Sequence, residues 1–310
     1  MNVLMQNRPE HLWQGGDMIQ LRQTQAALIR LGVDVVYSGE PVYPVPLLFR
    51  GFDVIHNFNF SMKWSPYQTW TAKKHRKPLV YSMIYHEGEQ FVPYANQQIM
   101  ADATDAMLFL TEGEIERVER HIKIDRSKCH VIPNGVDELW FKKVKPQKDM
   151  EPYVLTVGRV EPSKGQLAVA EACKRIGIRY IMIGQRTDEM YTRQCESLGA
   201  AHFQPMEPEK LVKFYAQCSA FALASAAEVQ PLSAMEAMAQ GAQVVLTEKC
   251  EWRTPNVLRC IPLDADSVEA QLRIALERPK NLAAIQEMKG LTWDAAAKKI
   301  KAIYDTLCVT

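Results

Sequence analysis

The chain has 310 residues, 47% hydrophobic and 24% charged, with a formal net charge of +1. That length suits about two ordinary domains, and the composition excludes a disordered or low-complexity chain. The near-neutral balance excludes a global field for nucleic acid or anionic lipid, and no apolar run approaches the roughly 20 residues that span a bilayer.

The first residues, MNVLMQNRPEHLWQGG, lack the basic-then-apolar order of a secretory leader. Short apolar runs at Asn2–Met5, Val35–Tyr37, Val54–Phe58, Leu79–Ile84, Ala106–Leu110 and His130–Ile132 predict strands, most of them rich in β-branched or aromatic residues. Between the first two, Met18, Leu21, Leu28 and Ile29 fall near one helical face over Asp17–Leu31, and Gly32 closes that helix. Glu112–Ile122 predicts another helix. Such alternation implies a mostly parallel sheet covered by helices.

The pattern stops over Phe141–Pro152, a polar, Lys-rich stretch with two prolines that reads as an interdomain linker. Alternation then restarts. Strands are predicted at Tyr153–Val157, Arg179–Ile183, Ala220–Leu223, Val244–Leu246 and Leu258–Ile261. Helices are predicted at Gln166–Arg175, Asp188–Leu198, Pro208–Gln217, Pro231–Gln240, Ser267–Leu276 and Trp293–Leu307. The expected class is α/β, with two Rossmann-like domains facing each other across a cleft. Ligands in such sheets bind beyond the carboxyl ends of the strands.

The seven cysteines are scattered, with no CxxC pair, which argues against a disulfide framework or a zinc site and for buried thiols in a reducing cytoplasm. The pair Asp264 and Asp266 precedes a predicted helix and reads as a cap rather than a metal site. The methionines of the MEAM run, Met235 and Met238, read as core filler.

The chemistry concentrates in Ala220–Gly241, AFALASAAEVQPLSAMEAMAQG. A strand runs through a small-residue loop into a helix, with Pro231 near its first turn and Gly241 after its end. Unpaired amides and the partial positive charge of a helix N-terminus suit a diphosphate. Glu228, before the helix, can accept hydrogen bonds from sugar hydroxyls. Glu236, inside the helix, can accept a pair from the two hydroxyls of a ribose.

The spacing Glu228-x7-Glu236 followed by AMAQG resembles the signature of retaining GT-B glycosyltransferases, most closely family 4. VIPNGVD (Val131–Asp137) is similar to the family's closing motif of the first domain, and VGRVEPSKG (Val157–Gly165) to the opening strand and loop of the second. The approach Ser225–Ala226–Ala227–Glu228 and the late Trp293 also fit. The three motifs stand in the family's order across nearly the whole chain. The resemblance implies an N-terminal acceptor domain over residues 1–148, completed by a helix at 293–310 that crosses back to it, and a donor domain over 149–292.

The resemblance also implies roles. Arg159 and Lys164 grip the donor diphosphate and offset the charge of the leaving group. Glu228 contacts the donor sugar and Glu236 the ribose. Gly15 and Gly16 match the glycine loop after the first strand, and Gly158 lies in the second domain's opening loop. Pro231 carries no N–H, so the amides of Leu232 and Ser233 are the ones left for phosphate. The family's glycine-containing stretch after Glu228 is here Val229–Gln230–Pro231. A first-domain histidine near the donor sugar is expected at His86, ahead of His56, with Tyr85 competing for the position.

The implied reaction moves a hexose-type sugar, with retention, from a UDP- or GDP-linked donor to a hydroxyl of a glycan or glycolipid, without metal or other cofactor. The expected setting is the cytoplasm, with the protein soluble or at most peripheral to a membrane. Three alternatives stay open: a nucleotide-sugar 2-epimerase, an inactive sugar-nucleotide binding protein, and a glycosyltransferase acting on hydroxylated bases in DNA. The last rests on Lys63–Lys77 (KWSPYQTWTAKKHRK), whose basic and aromatic residues could grip nucleic acid or an anionic membrane, or simply form a solvated helix.

Overall fold

A computed structural model describes residues 1–7, 15–39, 50–89, 91–145 and 151–308. The chain divides into two compact units, Met1–Gly135 with Trp293–Thr310, and Val136–Thr292.

In the first unit, β1 (Asn2–Gln6), β2 (Asp34–Ser38), β3 (Val54–Phe58), β4 (Leu79–Ser82), β5 (Ala106–Phe109) and β6 (Cys129–Val131) form one sheet in the order β2-β1-β3-β4-β5-β6. Every pairing in it is parallel. Strands β3, β4 and β5 are buried along their whole length, as helices on both faces require. Those helices are α1 (Gly16–Arg30), α2 (Ser65–Lys74), α3 (Tyr94–Ala103), α4 (Glu112–Glu119) and the C-terminal α11 (Trp293–Cys308). α11 packs against α1. Its Tyr304 hydroxyl lies 2.5 Å from His56 Nδ1, and the Ser82 hydroxyl lies 3.0 Å from His56 Nε2. Burial lowers the His56 pKa to about 3, so the ring is neutral and its two nitrogens are spent inside the core.

In the second unit, β7 (Tyr153–Val157), β8 (Arg179–Ile183), β9 (Ala200–Phe203), β10 (Ala220–Leu223), β11 (Gln243–Thr247) and β12 (Val257–Cys260) form a second parallel sheet in the order β12-β11-β10-β7-β8-β9. It is covered by α5 (Gln166–Ile176), α6 (Glu189–Ser197), α7 (Pro208–Gln217), α8 (Leu232–Ala239), α9 (Ala265–Glu277) and α10 (Leu282–Gly290). The strand order reverses between β7 and β10, and their carboxyl ends open onto the unit's switch point. Two cores flank the sheet, one around Tyr153, Tyr215, Phe221 and Met235, the other around Val154, Tyr180, Met182 and Leu272.

Several expectations need correcting. The units divide at Gly135 and Val136 rather than at 148 and 149. Val136 N donates to Leu291 O at 2.8 Å, and Trp140, 7% exposed, packs into the second unit's core. The Lys-rich stretch is therefore partly structure of the second unit, with residues 146–150 outside the described residues. The strand expected to reach Ile84 stops at Ser82, and Ile84 takes φ 38°. Strand β9 and helices α3 and α10 had no clear signal. The Lys63–Lys77 segment forms α2, which buries Ser65, Gln68, Thr69, Thr71 and Ala72. Its outer face carries Trp70, over which Lys74 Nζ sits 4.7 Å from the ring centre, and Lys73 pairs with Asp105 at 3.3 Å. Asp264 caps α9, accepting from Ser267 N at 2.6 Å, and Asp266 pairs with Arg175. Among the described residues, no helix is long and apolar enough to cross a membrane.

Candidate active site

Strand β7 ends at Val157, and the chain turns through Gly158 into the loop Arg159–Gly165. Gly158 takes φ 155°, and its carbonyl lies where a Cβ on Gly184 would sit, only 1.9 Å away. A side chain at Gly184 would therefore push the loop off the sheet end. Around Gly158 itself a Cβ would meet nothing within 4 Å, so its backbone faces open space.

The other end of the loop is held as closely. Gly165 has φ 72°, and a Cβ there would stand 2.3 Å from the Ala224 carbonyl oxygen. Only glycine fits that conformation in that space without strain. Two residues before Gly165 and two after Ala224, Ala226 N donates to Ser163 O at 2.8 Å. These contacts dock the loop after β7 onto the loop after β10, at the switch point.

The docking brings Lys164 to Glu228. Lys164 Nζ lies 2.7 Å from Glu228 Oε1, with side chains 23% and 12% exposed. The Ser225 hydroxyl donates to the same oxygen at 2.8 Å. Glu228 is also fixed through its backbone, since Glu251 N donates to Glu228 O at 2.8 Å. The partnering segment supplies Glu248, Lys249, Glu251 and Arg253, which line a shallow charged cleft beside it. Arg159 stands five residues before Lys164, its Nη2 3.2 Å from Glu161 Oε1. Structure thus gathers Gly158, Arg159, Lys164 and Glu228 at one end of one sheet.

Helix α8 follows the Glu228 loop. Pro231 caps it in extended conformation, and Ala234 N makes the first bond back to Pro231 O at 3.1 Å. The amides of Leu232 and Ser233 precede that bond and stand at the open first turn. One and a half turns in, Glu236 Oε2 accepts from the Tyr215 hydroxyl at 2.7 Å. Trp140 packs edge-on against Tyr215, and Phe221 tilts against it, so this hydroxyl is rigidly presented. Glu236 keeps part of its surface open, yet burial of its carboxyl pushes the pKa up to about 8; the Tyr215 hydrogen bond lowers it and Asp137 raises it. Burial thus favours the protonated form of the Glu236 carboxyl. It can then donate as well as accept, which suits a pair of vicinal hydroxyls.

The remaining candidates belong to the first unit. Gly15 caps α1 in extended conformation with φ −123°, and Gly16 opens the helix with space around it. Neither needs a left-handed backbone. His86 is exposed, its amide donating to the Ser61 hydroxyl at 3.0 Å, while Tyr85 is turned inward at 3% exposure. His56 is spent on Tyr304 and Ser82 inside the core, which removes it from the candidates.

Sequence reasoning missed Tyr215, Glu161 and the 248–253 segment. Glu161 was within reach, since it lies inside the VGRVEPSKG motif. Tyr215 sits on α7, and nothing local ties it to a residue on α8.

Residues 138–254 match the family model "Glycosyl transferases group 1", and residues 33–138 match "Glycosyltransferase Family 4". Curated relatives include a D-inositol 3-phosphate glycosyltransferase of Corynebacterium diphtheriae, 28% identical over 245 residues, covering 67% of this chain and 57% of the relative. A second, from Segniliparus rotundus, is 28% identical over 67% of this chain and 53% of its own length. The chain thus spans little more than half of these relatives. Among solved structures, a sucrose-phosphate synthase from Thermosynechococcus elongatus superposes with TM-score 0.81 at 18% identity, over 99% of this chain and 98% of that one. Anabaena HepE in complex with UDP superposes with TM-score 0.78 at 14% identity, over 99% and 100%. At such identities the likeness is one of fold, and the family models add the motif-bearing region between residues 33 and 254. With its two parallel six-stranded sheets and the docked motif loops at the end of the second, this chain belongs to the group 1 glycosyltransferases of the GT-B fold.

Proposed function

We propose that the chain is a retaining, metal-independent glycosyltransferase that moves a hexose-type sugar from a UDP- or GDP-sugar to a hydroxyl of a glycan or glycolipid. The observation that carries this reading is the Lys164–Glu228 pair beside the open first turn of α8. A cation, a carboxylate able to accept from sugar hydroxyls and helix-end amides at the switch point support a site for a nucleotide sugar there. That HepE is described in complexes with UDP and UDP-glucose supports a nucleotide-sugar donor here. The named activity of the curated relatives supports a hydroxylated acceptor.

In this reading the diphosphate lies against the Leu232 and Ser233 amides with Arg159 and Lys164 at its oxygens, and the Glu236–Tyr215 pair meets the ribose. As the sugar–oxygen bond breaks, negative charge grows on the departing diphosphate, and the two fixed cations offset it. The leaving oxygen takes the proton of the incoming acceptor hydroxyl on the same face, so configuration is retained. Glu228 orients the sugar, and its own position is set by Ser225 and Lys164. Gly15, Gly16 and His86 belong to the acceptor-bearing unit in this scheme.

A panel of UDP-, GDP- and ADP-sugars, read by release of nucleoside diphosphate in the presence of a chelator, tests class, donor and metal independence together. Proton NMR of the product reads the anomeric outcome. Glu228→Ala should mainly lower turnover. Turnover abolished by chelator, an inverted product, or no affinity for any nucleotide would each remove the corresponding part of the proposal.

A further inference from the structure

We infer that Glu161 is a positioning residue for Arg159, holding its guanidinium in place before the donor arrives. This rests on the donor-site reading above, in which Arg159 meets the diphosphate.

Glu161 is unlike an ordinary surface partner. It is 19% exposed at the side chain, whereas the surface pair Arg193–Glu189 is 74% and 52% exposed. Exposed pairs of the latter kind contribute little. Glu161 Oε1 accepts from the Ser163 hydroxyl at 2.7 Å, and Oε2 lies 3.2 Å from the Thr187 hydroxyl, whose one proton is shared with Val160 O at 3.0 Å. Its backbone neighbour is clamped as well, since Val160 N donates to Gln185 O at 2.8 Å and Val160 pairs with Arg186 as an isolated bridge. The carboxylate therefore has anchors of its own, apart from its contact with Arg159. Nor is the carboxylate spent as a helix cap, for it makes no capping bond to a backbone amide of the short turn Pro162–Lys164 that follows.

Against this fixed acceptor, Arg159 Nη2 sits at 3.2 Å. The Arg159 main chain is held independently, by Gln166 Nε2 donating to its carbonyl at 2.7 Å. Gln166 is fully buried, so this anchor is rigid too. A guanidinium is a planar fork, so an ion pair at one of its nitrogens fixes the direction in which the whole group presents its charge. Charge stabilisation of a leaving group is strongest when the charge needs no reorganisation as the bond breaks. Without Glu161 the long Arg159 side chain would sample several rotamers, and the loss would fall on the transition state more than on donor binding.

The test is a double-mutant cycle on the full chain, read by kcat and donor KM, using the sugar nucleotide that the panel above identifies. Glu161→Ala should lower kcat by about tenfold or more while moving donor KM by less than about threefold. Glu161→Gln, which keeps an acceptor for Arg159, should recover part of that loss. In an Arg159→Ala background, Glu161→Ala should add nothing, because its route of action is gone. Wild-type kcat in Glu161→Ala would overturn the inference, as would a full additive loss in the Arg159→Ala background. If Glu161→Ala does not fold, the Gln variant alone and with Arg159→Ala makes the same comparison. A wild-type chain that turns over no sugar nucleotide fails the donor-site reading instead, a result separate from an active wild type indifferent to Glu161.

Discussion

Replacing Glu236 by glutamine measures what burial does to this carboxyl. In the native state burial raises the pKa of this group to about 8, whereas an unfolded chain gives up the proton near the ordinary value of 4.5. Between those values the native state binds more protons than the unfolded state, so stability falls as pH rises through the window and levels off above about 8. At ~1.4 kcal/mol per pH unit the gap corresponds to ~5 kcal/mol, which is an upper figure. Glu236 is only partly buried by surface area, so solvent relieves much of this, and ~2 kcal/mol is the expected size. Glutamine keeps the shape and the acceptor for the Tyr215 hydroxyl but cannot ionise. Urea unfolding at pH 4.5, 7 and 9 should therefore show Glu236→Gln gaining on wild type as pH rises, with little difference at the lowest pH. A stability difference that stays the same across the three values, or one that runs the other way, would refute the argument. Nucleotide binding gives an independent reading: at pH 5 the variant should bind much as wild type, since both present a neutral group.

Two further predictions concern the frame. Gly165→Ala forces a Cβ to 2.3 Å from the Ala224 carbonyl in a left-handed backbone, so it should destabilise the second unit by ~2–4 kcal/mol in denaturant unfolding and reduce turnover by displacing Lys164 from Glu228. Tyr304→Phe leaves His56 Nδ1 buried without its hydroxyl partner, and should cost ~1–3 kcal/mol in a thermal or urea melt while leaving nucleotide affinity unchanged.

What the sequence by itself determined is the local grammar: the alternation of β-branched runs with amphipathic stretches, the glycine and proline punctuation, and the three ordered motifs. Those signals are carried by neighbours within a few residues, so the order of most strands and helices was legible. The elements missed were those with weak local pattern. β9 is only four residues, AAHF, at the sheet edge with Phe203 38% exposed, and α3 (YANQQIMADA) has its two large aliphatic side chains, Ile99 and Met100, adjacent rather than at helical spacing. The boundary between units was misplaced because composition marked the Lys-rich stretch, whereas packing of Trp140 decided the matter.

Only the tertiary structure decided how the motifs meet. Lys164 and Glu228 are 64 residues apart, and they pair because β7 and β10 lie side by side and Gly165 lets the loops touch. Tyr215 reaches Glu236 from another helix, 21 residues away, and burial there sets the protonation of a carboxyl that looks ordinary in the sequence. His56 shows the reverse case, a residue of apparent chemical promise that strand packing turns inward to hold α11. Hydrogen-bond partners and desolvation depend on what a residue is folded against, and periodicity along the chain carries no record of that.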